Sequence, residues 1–98
     1  MSLPLVLHRY AKRDISEAMR WYERQQPGRE KQFEAQLEKA FERIKERPKR
    51  LAPYFQDVRF HLLNQFSYVI YYRILADVIL VIAVLHGSRD PDVWRLRR

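Results

Sequence analysis

The sequence predicts an α+β fold in which a helical hairpin packs on one face of a four-stranded, mainly antiparallel sheet. Residues 13–47 contain two stripes of apolar side chains at helical spacing, and one break in the pattern separates the two predicted helices. Three runs rich in β-branched and aromatic residues fill residues 54–87. A short apolar run at about residues 3–9 precedes the helices. The element order is therefore β-α-α-β-β-β.

The first strand and first helix lie before a clear break in the chain. Pro4 is tolerated because it stands near the beginning of the strand or on an edge. The first helix is predicted at about residues 13–26, and we expect Trp21 to extend its buried face. The Pro27-Gly28 pair ends this helix, because proline has no N–H to donate and glycine permits a reversal. The apolar stripe consists of Ile15, Ala18, Met19 and Tyr22.

The second helix is predicted at about residues 29–47, and Pro48 stops it. Glutamates recur every fourth residue and alternate with lysines and arginines, which is typical of a solvated outer face. The apolar stripe consists of Phe33, Leu37, Ala40, Phe41 and Ile44. Two amphipathic helices joined by a tight turn need a sheet to cover their apolar stripes.

The remaining three strands are predicted at about residues 54–63, 67–75 and 78–87. The first of them alternates, which indicates a half-buried strand. Asn64-Gln65 supplies the first turn, and Ala76-Asp77 supplies a two-residue hairpin. The last run is apolar on both faces and predicts a central strand covered on both sides.

The hairpin predicts which side chains share a face of the sheet. Period-two alternation gives one core-like face: Tyr68, Ile70, Tyr72, Ile74, Ile79, Val81, Ala83 and Leu85. It gives a second, mixed face: Val69, Tyr71, Arg73, Leu80, Ile82, Val84 and His86. We interpret the second face as the functional surface, since its aliphatic patch would be exposed on a monomer. A one-residue slip at either turn would exchange the faces.

Length and composition limit the classes of function. The chain has 98 residues, no cysteine and a formal net charge of +7. We expect a single domain, without disulfides or thiolate chemistry, in the cytoplasm. The charge favours a polyanionic partner, although a merely soluble basic surface would have the same composition. The longest apolar run, Val78–Leu85, is too short to span a bilayer, and the beginning of the sequence does not resemble a secretion signal.

Metal and cofactor sites are not predicted. The histidines His8, His61 and His86 lack close metal-ligand spacing. Gly28 and Gly87 are the only glycines, so there is no Gly-rich phosphate loop. The carboxylates lie at solvated helical spacings, which disfavours a paired-carboxylate hydrolase. We therefore expect no cofactor and no metal.

The cations and imidazoles of the strands are the candidate functional groups. Arg59 and His61 are two residues apart and share a face of their strand. Together with Arg73, His86 and Arg89 they could hold a phosphate and move a proton.

Each of these groups also has a structural interpretation. His61 could be a polar residue on an exposed edge, and His86 could cap the last strand or pair with a backbone carbonyl. Trp94 could pack its ring across the sheet or the helices. In the basic tail, residues 88–98, the last three arginines could be a solvated end, whereas the functional interpretation is that they attract nucleic acid or the ribosome: Arg95, Arg97 and Arg98.

A series of residues along almost the whole chain carries a family resemblance. On the helices it comprises Asp14-Ile15, Ala18, Trp21-Tyr22, Phe33, Ile44 and Pro48. On the strands and tail it comprises Arg59, Phe66, Tyr68, Tyr71-Tyr72-Arg73, His86, Arg89, Asp90-Pro91 and Trp94. In this order and spacing the chain resembles the RelE/ParE superfamily of toxins from type II toxin–antitoxin modules. The resemblance implies the fold predicted above and a cytoplasmic growth inhibitor that a cognate antitoxin neutralises. It leaves open whether the assembly is a homo-oligomer or a hetero-oligomer with the antitoxin.

The resemblance leaves two mechanisms open. RelE-like members cut messenger RNA on the ribosome, whereas ParE-like members, the plasmid stabilisation branch, block DNA gyrase. Val69 and Trp94 stand where the nuclease branch often has a cation and a tyrosine, and indole cannot transfer protons near neutral pH. The segment 86–91 also looks closer to ParE-like members, so we favour that branch. A third alternative is an inactive member that only binds an antitoxin.

Each mechanism implies its own site residues. A metal-independent ribonuclease would use Arg59, His61, His86 and Arg89 as catalytic groups. Binding to a protein partner or to nucleic acid would use Arg73, Tyr71, Trp94, Arg95, Arg97 and Arg98.

Overall fold

A computed structural model describes residues 3–98. The elements are β1 (Leu5–Leu7), α1 (Arg9–Gln25), α2 (Arg29–Glu46), β2 (Val58–Leu62), β3 (Tyr68–Ile74), β4 (Ile79–His86) and α3 (Asp92–Arg95). The strand order in the sheet is β1-β4-β3-β2. β1 runs parallel to β4, and the other pairs are antiparallel. The predicted fold class and the central position of the last strand are confirmed.

The first helix begins earlier than the apolar stripe predicts. Its N-cap is His8, whose Nδ1 accepts a hydrogen bond of 3.2 Å from the Tyr10 N–H. This cap satisfies one of the free N–H groups at the helix terminus and ends β1 at Leu7. Histidine is an uncommon N-cap, so the sequence gives little sign of it.

The turn between the helices depends on Gly28. Its φ of 98° lies in the left-handed region that glycine adopts without a Cβ clash. Its N–H donates to the Glu30 carboxylate, which covers the first turn of α2. At the other end α2 stops at Glu46, before Pro48, as predicted.

The helical hairpin covers one face of the sheet, which we call the first face. The buried side chains of α2 are Phe33, Leu37, Ala40 and Ile44. They pack on Ile70, Tyr72, Ile79, Val81 and Val84 of the sheet. Phe41 is half-buried, in agreement with the predicted stripe. The expectation for Trp21 is wrong, because 49% of this residue remains exposed.

An irregularity between β3 and β4 changes the predicted faces. Tyr71 pairs with Ala83 but Tyr72 pairs with Val81, so Ile82 is an extra residue in β4. Beyond it the alternation shifts by one residue. Val84 and His86 therefore belong to the first face, and Ala83 and Leu85 to the opposite face, where the simple alternation predicted the reverse.

The opposite face, called the second face, is covered rather than open. Trp94 of α3 is 2% exposed and packs with Val58, Ile82 and Leu85. The prediction that the second face is a free functional surface is wrong for this part of the sheet. Residues 88–98 fold back over it because Trp94 contributes a large apolar ring that the sheet can bury.

The strand predicted at residues 54–63 forms only from Val58. Before it the chain turns tightly, with Gln56 at a φ of 52° and mutual hydrogen bonds between Phe55 and Val58. The turn after Ile74 is the predicted hairpin, with the Leu75 N–H donating to the Val78 carbonyl.

Candidate functional site

The predicted site residues fall into four separate places. His86 and Arg89 line a groove at one end of the first face. His61 lines a pocket beside the carboxyl end of α2, and Arg59 lies outside that pocket. The other predicted groups lie in the second face or at its border: Arg73, Tyr71, Trp94, Arg95, Arg97 and Arg98. The prediction that the cations and imidazoles share one rim of the sheet is wrong.

The groove at the end of the first face, here called the end groove, has a volume of about 610 Å³. It lies where α1 ends, α2 begins, β3 begins and β4 ends, so four elements contribute side chains. Its apolar part includes Trp21 and Phe66, and its cations are Arg24, Arg29 and Arg89. The groove can therefore accept a ligand that is both apolar and negatively charged.

An aromatic cluster forms the floor of the end groove. The ring centroids of Tyr22, Phe33, Phe66 and Tyr68 are 5.1–5.9 Å apart where they meet, within the range of favourable aromatic pairs. The Arg29 guanidinium lies 4.5 Å from the centroid of Phe66. Burial raises the pKa of Tyr68, and its neighbour Tyr22 raises it further. Tyr68 is thus a neutral hydrogen-bonding group near pH 7.

His86 is held by its own loop. Its Nδ1 lies 2.7 Å from Ser88 Oγ and accepts a hydrogen bond of 3.1 Å from the Ser88 N–H. Its ring meets Tyr68 edge-on at 5.5 Å. These contacts agree with the interpretation of His86 as a cap of the last strand. Arg89 is exposed on the following turn and faces the end groove.

His61 lies in a different pocket of about 540 Å³, here called the basic pocket. Arg43 and Arg47 reach it from α2, and Arg50 reaches it from the loop that follows. Burial lowers the pKa of His61, and the charges of Arg43 and Arg50 lower it further. The imidazole is therefore neutral near pH 7.

Arg59 shares a face of β2 with His61, as predicted, because it pairs with Tyr72 while His61 pairs with Ile70. It nevertheless lines another cavity, beside Lys49 and Ile74. Its Nε–H is buried and donates no hydrogen bond within residues 3–98. Arg59 and His61 thus lie on the same face of β2 but line two different cavities.

Trp94 and its neighbours form the core of the second face. The Trp94 and Tyr71 rings stack with centroids 4.5 Å apart. The Arg95 guanidinium lies 4.6 Å from the Phe55 ring centroid. The interpretation that Trp94 packs its ring across the sheet is confirmed by this burial.

Asp57 joins two of the predicted cations at the border of this face. Arg73 Nε donates to Asp57 at 3.0 Å, and Arg98 Nε donates to the other carboxylate oxygen. Burial opposes ionisation of Asp57, but the hydrogen bonds and charges of the two arginines outweigh it and lower its pKa.

Arg97 forms a buried ion pair with Asp14. Its Nη1 lies 2.5 Å from Asp14 Oδ2 and 3.3 Å from the carbonyl oxygen of Ile82. Asp14 also accepts a hydrogen bond of 3.0 Å from the Val84 N–H. Because β1 pairs only as far as Val81, these two side chains satisfy backbone groups of β4 beyond the end of β1.

The interpretation of the tail as a solvated end is therefore wrong for Arg97, whose side chain is 10% exposed. Its guanidinium is occupied by Asp14 rather than open to a partner. The sequence places Asp14 only at the beginning of a helix. The acidic Asp14 stands among the apolar positions of α1, and buried carboxylates are almost always paired. This position was the available signal that a cationic partner lies nearby.

Sequence reasoning also missed the cations Arg24 and Arg29 of the end groove. Their positions on either side of the Pro27-Gly28 turn place them near each other only once the hairpin is closed. Within residues 3–98, no group of three or more His, Cys, Asp or Glu side chains could hold a metal ion. None of the helices in the described range is long and apolar enough to cross a membrane.

Comparisons with known proteins agree with this architecture. The family described as "ParE toxin of type II toxin-antitoxin system, parDE" matches residues 5–91. Toxin ParE2 of Mycobacterium tuberculosis, from two strains, is 28% identical over 93 residues, covering 94% of this chain and 89% of the relative. A solved structure described as the chromosomal ParDE TA system from P. aeruginosa has the same fold, with a TM-score of 0.77 at 13% identity. That match covers 87% of this chain and 96% of the solved one. The chain therefore belongs to the ParE toxin family of type II toxin–antitoxin systems.

Proposed function

We propose that this ParE-family toxin inhibits growth by acting on DNA gyrase in the cytoplasm, and that a cognate antitoxin neutralises it by binding the end groove. The observation that carries the choice of gyrase over messenger RNA is the separation of the candidate proton-transfer groups. The family supports the need for an antitoxin.

The separation of His61 from His86 follows from the strand register. His61 is opposite Ile70, Ile70 is opposite Val84, and His86 lies opposite Tyr68. The two histidines are thus two strands and two residues apart, or about 12 Å between their backbones at ordinary strand spacing. General acid and base catalysts must each reach the same reacting group within about 3 Å or through one water. This arrangement argues against cleavage by that pair.

The end groove supports the antitoxin half of the proposal. It combines a half-exposed tryptophan, Trp21, with three cations from three elements. Two acidic residues also line it. The Asp14 carboxylate is occupied by Arg97, and Glu17 alone does not balance the three arginines. A partner segment with apolar and acidic side chains would complement both parts, and the net charge of +7 would speed its association.

The target is tested with purified protein and gyrase. We expect inhibition of supercoiling, with trapped DNA breaks, at a stoichiometric ratio of the protein. The double variant Arg59→Ala/His61→Ala should inhibit as well as the native chain, since blocking gyrase requires no proton transfer by these groups. Cleaved transcripts without gyrase inhibition, abolished by the same double variant, would replace this proposal with a ribosome-dependent nuclease.

The nuclease remains the second candidate because of one observation, the position of His61 beside three arginines in the basic pocket. A neutral imidazole beside three arginines has the protonation state of a general base beside phosphate-binding groups. Growth inhibition with neither gyrase inhibition nor RNA cleavage would exclude both targets. If the native chain does not inhibit growth but still binds its antitoxin, it is an inactive member of the family.

The antitoxin surface is tested by co-purification with the product of any small, acidic reading frame that adjoins the gene of this chain. Trp21→Ala and Arg29→Gln should each weaken the complex at least about tenfold, because each removes a large contact or a charge at the groove. Leu96→Ala is the matched control, since Leu96 is 88% exposed and lies outside the groove. Equal affinities for Trp21→Ala and Leu96→Ala would contradict the assignment of the groove.

A further inference from the structure

We propose that the basic pocket binds a phosphate group, either of a free nucleotide or of a nucleic acid strand. This inference goes beyond the proposed function, which uses the end groove. The pocket is formed by α2, the loop that follows it, β2 and Tyr72 of β3.

The charge of the lining carries the proposal. Three arginines and one histidine line the pocket, Arg43, Arg47, Arg50 and His61, and none of its ten lining residues is acidic. The end groove, by contrast, is lined by Asp14 and Glu17 as well as by cations. The basic pocket therefore has an unbalanced positive charge on concave walls, which concentrates anions.

The arginines of the pocket have no ion-pair partners within residues 3–98. The cations that do form ion pairs in this range are Lys45, Arg73, Arg97 and Arg98. Glu42, which lies next to Arg43 in the sequence, pairs with Lys45 instead. The guanidinium groups of the pocket thus keep their hydrogen-bond donors for a ligand.

A helix terminus alone does not explain this cluster. Cations near the end of α2 are favoured by the helix dipole, which accounts for Arg43 and Arg47. They stand four residues apart on the same side of the helix, where like charges repel. Arg50 and His61 come from other elements yet face the same cavity, so the tertiary fold adds positive charge to a site that is already positive.

Phosphate suits this site better than a carboxylate. Planar guanidinium groups bind phosphate oxygens in pairs, and three of them can surround one tetrahedral anion. Asn64 adds an amide donor from the turn after β2. The neutral His61 can accept a proton when the anion arrives, which would add a fourth charged donor.

Binding is tested by NMR titration of the three histidines of the full chain. Inorganic phosphate should shift the His61 signals and raise the pKa of His61, because an anion stabilises the imidazolium. The signals of His8, which lines neither the basic pocket nor the end groove, are the internal reference and should not respond. Adenosine monophosphate and a short single-stranded oligonucleotide form the second and third arms and distinguish a nucleotide from a strand.

Charge removal distinguishes the pocket from general attraction to a basic protein. The triple variant Arg43→Gln/Arg47→Gln/Arg50→Gln should weaken phosphate binding at least about tenfold, because it removes the charge-assisted donors. Lys12→Gln/Arg20→Gln/Lys31→Gln is the matched control, since it removes the same charge from exposed helical positions outside the pocket. The affinity of this control variant for phosphate should remain within about twofold of that of the native chain.

Three results would overturn the proposal. One is no response of His61 to any phosphate-bearing probe at 10-fold lower ionic strength than physiological, about 0.015 M, where screening is weak. Another is equal weakening by the two triple variants. The third is binding of an acidic peptide, such as a short poly-glutamate, to this pocket without binding of phosphate. Both triple variants and the native chain should have the same far-UV circular dichroism, and gyrase inhibition is measured separately.

Discussion

The two faces of the sheet are covered in very different ways. The first face is covered by two helices of 17 and 18 residues, whose apolar stripes pack along the strands. The second face is covered by one helix of four residues and its flanking turns, with a single tryptophan at the centre. Stability of the first face is therefore distributed, whereas the second face depends on a few side chains. The same carboxyl-terminal segment that we predicted to be a binding tail is part of the core.

The largest expected effect is the loss of the central ring of the second face. Trp94→Ala should lower the free energy of unfolding by about 3–5 kcal/mol, because it removes a fully buried aromatic side chain. Urea denaturation measures this change. The control is Leu96→Ala, two residues further, which should stay within about 0.5 kcal/mol because Leu96 is exposed. A cost below about 1 kcal/mol for Trp94→Ala would mean that residues 88–98 do not hold this face.

The same contrast explains why truncation after Pro91 cannot identify a binding tail. Such a deletion removes Trp94 together with the arginines, so loss of toxicity would report unfolding as readily as lost binding. Substitutions at Arg95 and Arg98 remove charge and leave the ring in place.

The next expected effect is at the buried ion pair that joins Arg97, in the segment covering the second face, to Asp14 of α1. Arg97→Met should cost about 2–3 kcal/mol, because it leaves the Asp14 carboxylate buried without its charged partner. A double-mutant cycle with Asp14→Asn, which keeps an acceptor for the Val84 N–H, isolates the coupling between the two side chains. Additive losses would show that the pair does not act as a unit.

A smaller effect is expected from protonation of His61 on the first face. Burial holds its pKa in the folded chain below the ordinary value of 6.5. The unfolded chain therefore binds a proton at His61 more readily than the folded chain does. The stability that the neutral His61 contributes is complete above pH 6.5 and is lost as the pH falls towards the pKa of His61 in the folded chain. Urea midpoints between pH 7.5 and 5.5 should fall for the native chain and change less for His61→Gln. Equal slopes for the two proteins would exclude His61 as the source.

The smallest effect is expected at Asp57, on the border of the second face. Arg98→Ala should cost about 0–1 kcal/mol, since this ion pair is more than one-third exposed and is screened by solvent. The pKa of Asp57 is lowered, so its contribution is present above pH 3.8 and is lost as the pH falls through the native pKa. Urea midpoints at pH 7 and 3 measure this loss. If Arg98→Ala lowered the free energy of unfolding more than Arg97→Met does, the proposed order of the Asp57 and Asp14 ion pairs would be reversed.

Most of the fold could be predicted because its signals are local. The stripe of α2, the break at Gly28 and the apolar β4 each depend on residues close in sequence, and each was predicted in place. The assignment of β4 side chains to the two faces was wrong after Ile82, because Ile82 is an extra residue that no local pattern marks. A bulge is fixed by the pairing of two strands, and alternation within one strand cannot show it.

The candidate site was predicted less well because it depends on tertiary contacts. His86 and Arg89 do lie together, since they are near in sequence at the end of one strand. Arg59 and His61 share a face as predicted, yet neighbouring elements divide that face into two cavities. Asp14 and Arg97 are 83 residues apart, and neither their spacing nor their composition predicts that they meet.

The contacts that complete β4 have a consequence for how the chain folds. Its hydrogen bond to Asp14 joins residues 70 apart, and β1 pairs with it from the other end of the sequence. Such distant pairings form late and slowly, because a long loop must close before they give any stabilisation. Until then β4, the most apolar strand, is without its partners on one edge. We therefore expect slow refolding with a tendency to aggregate, and a higher yield of native protein in dilute solution.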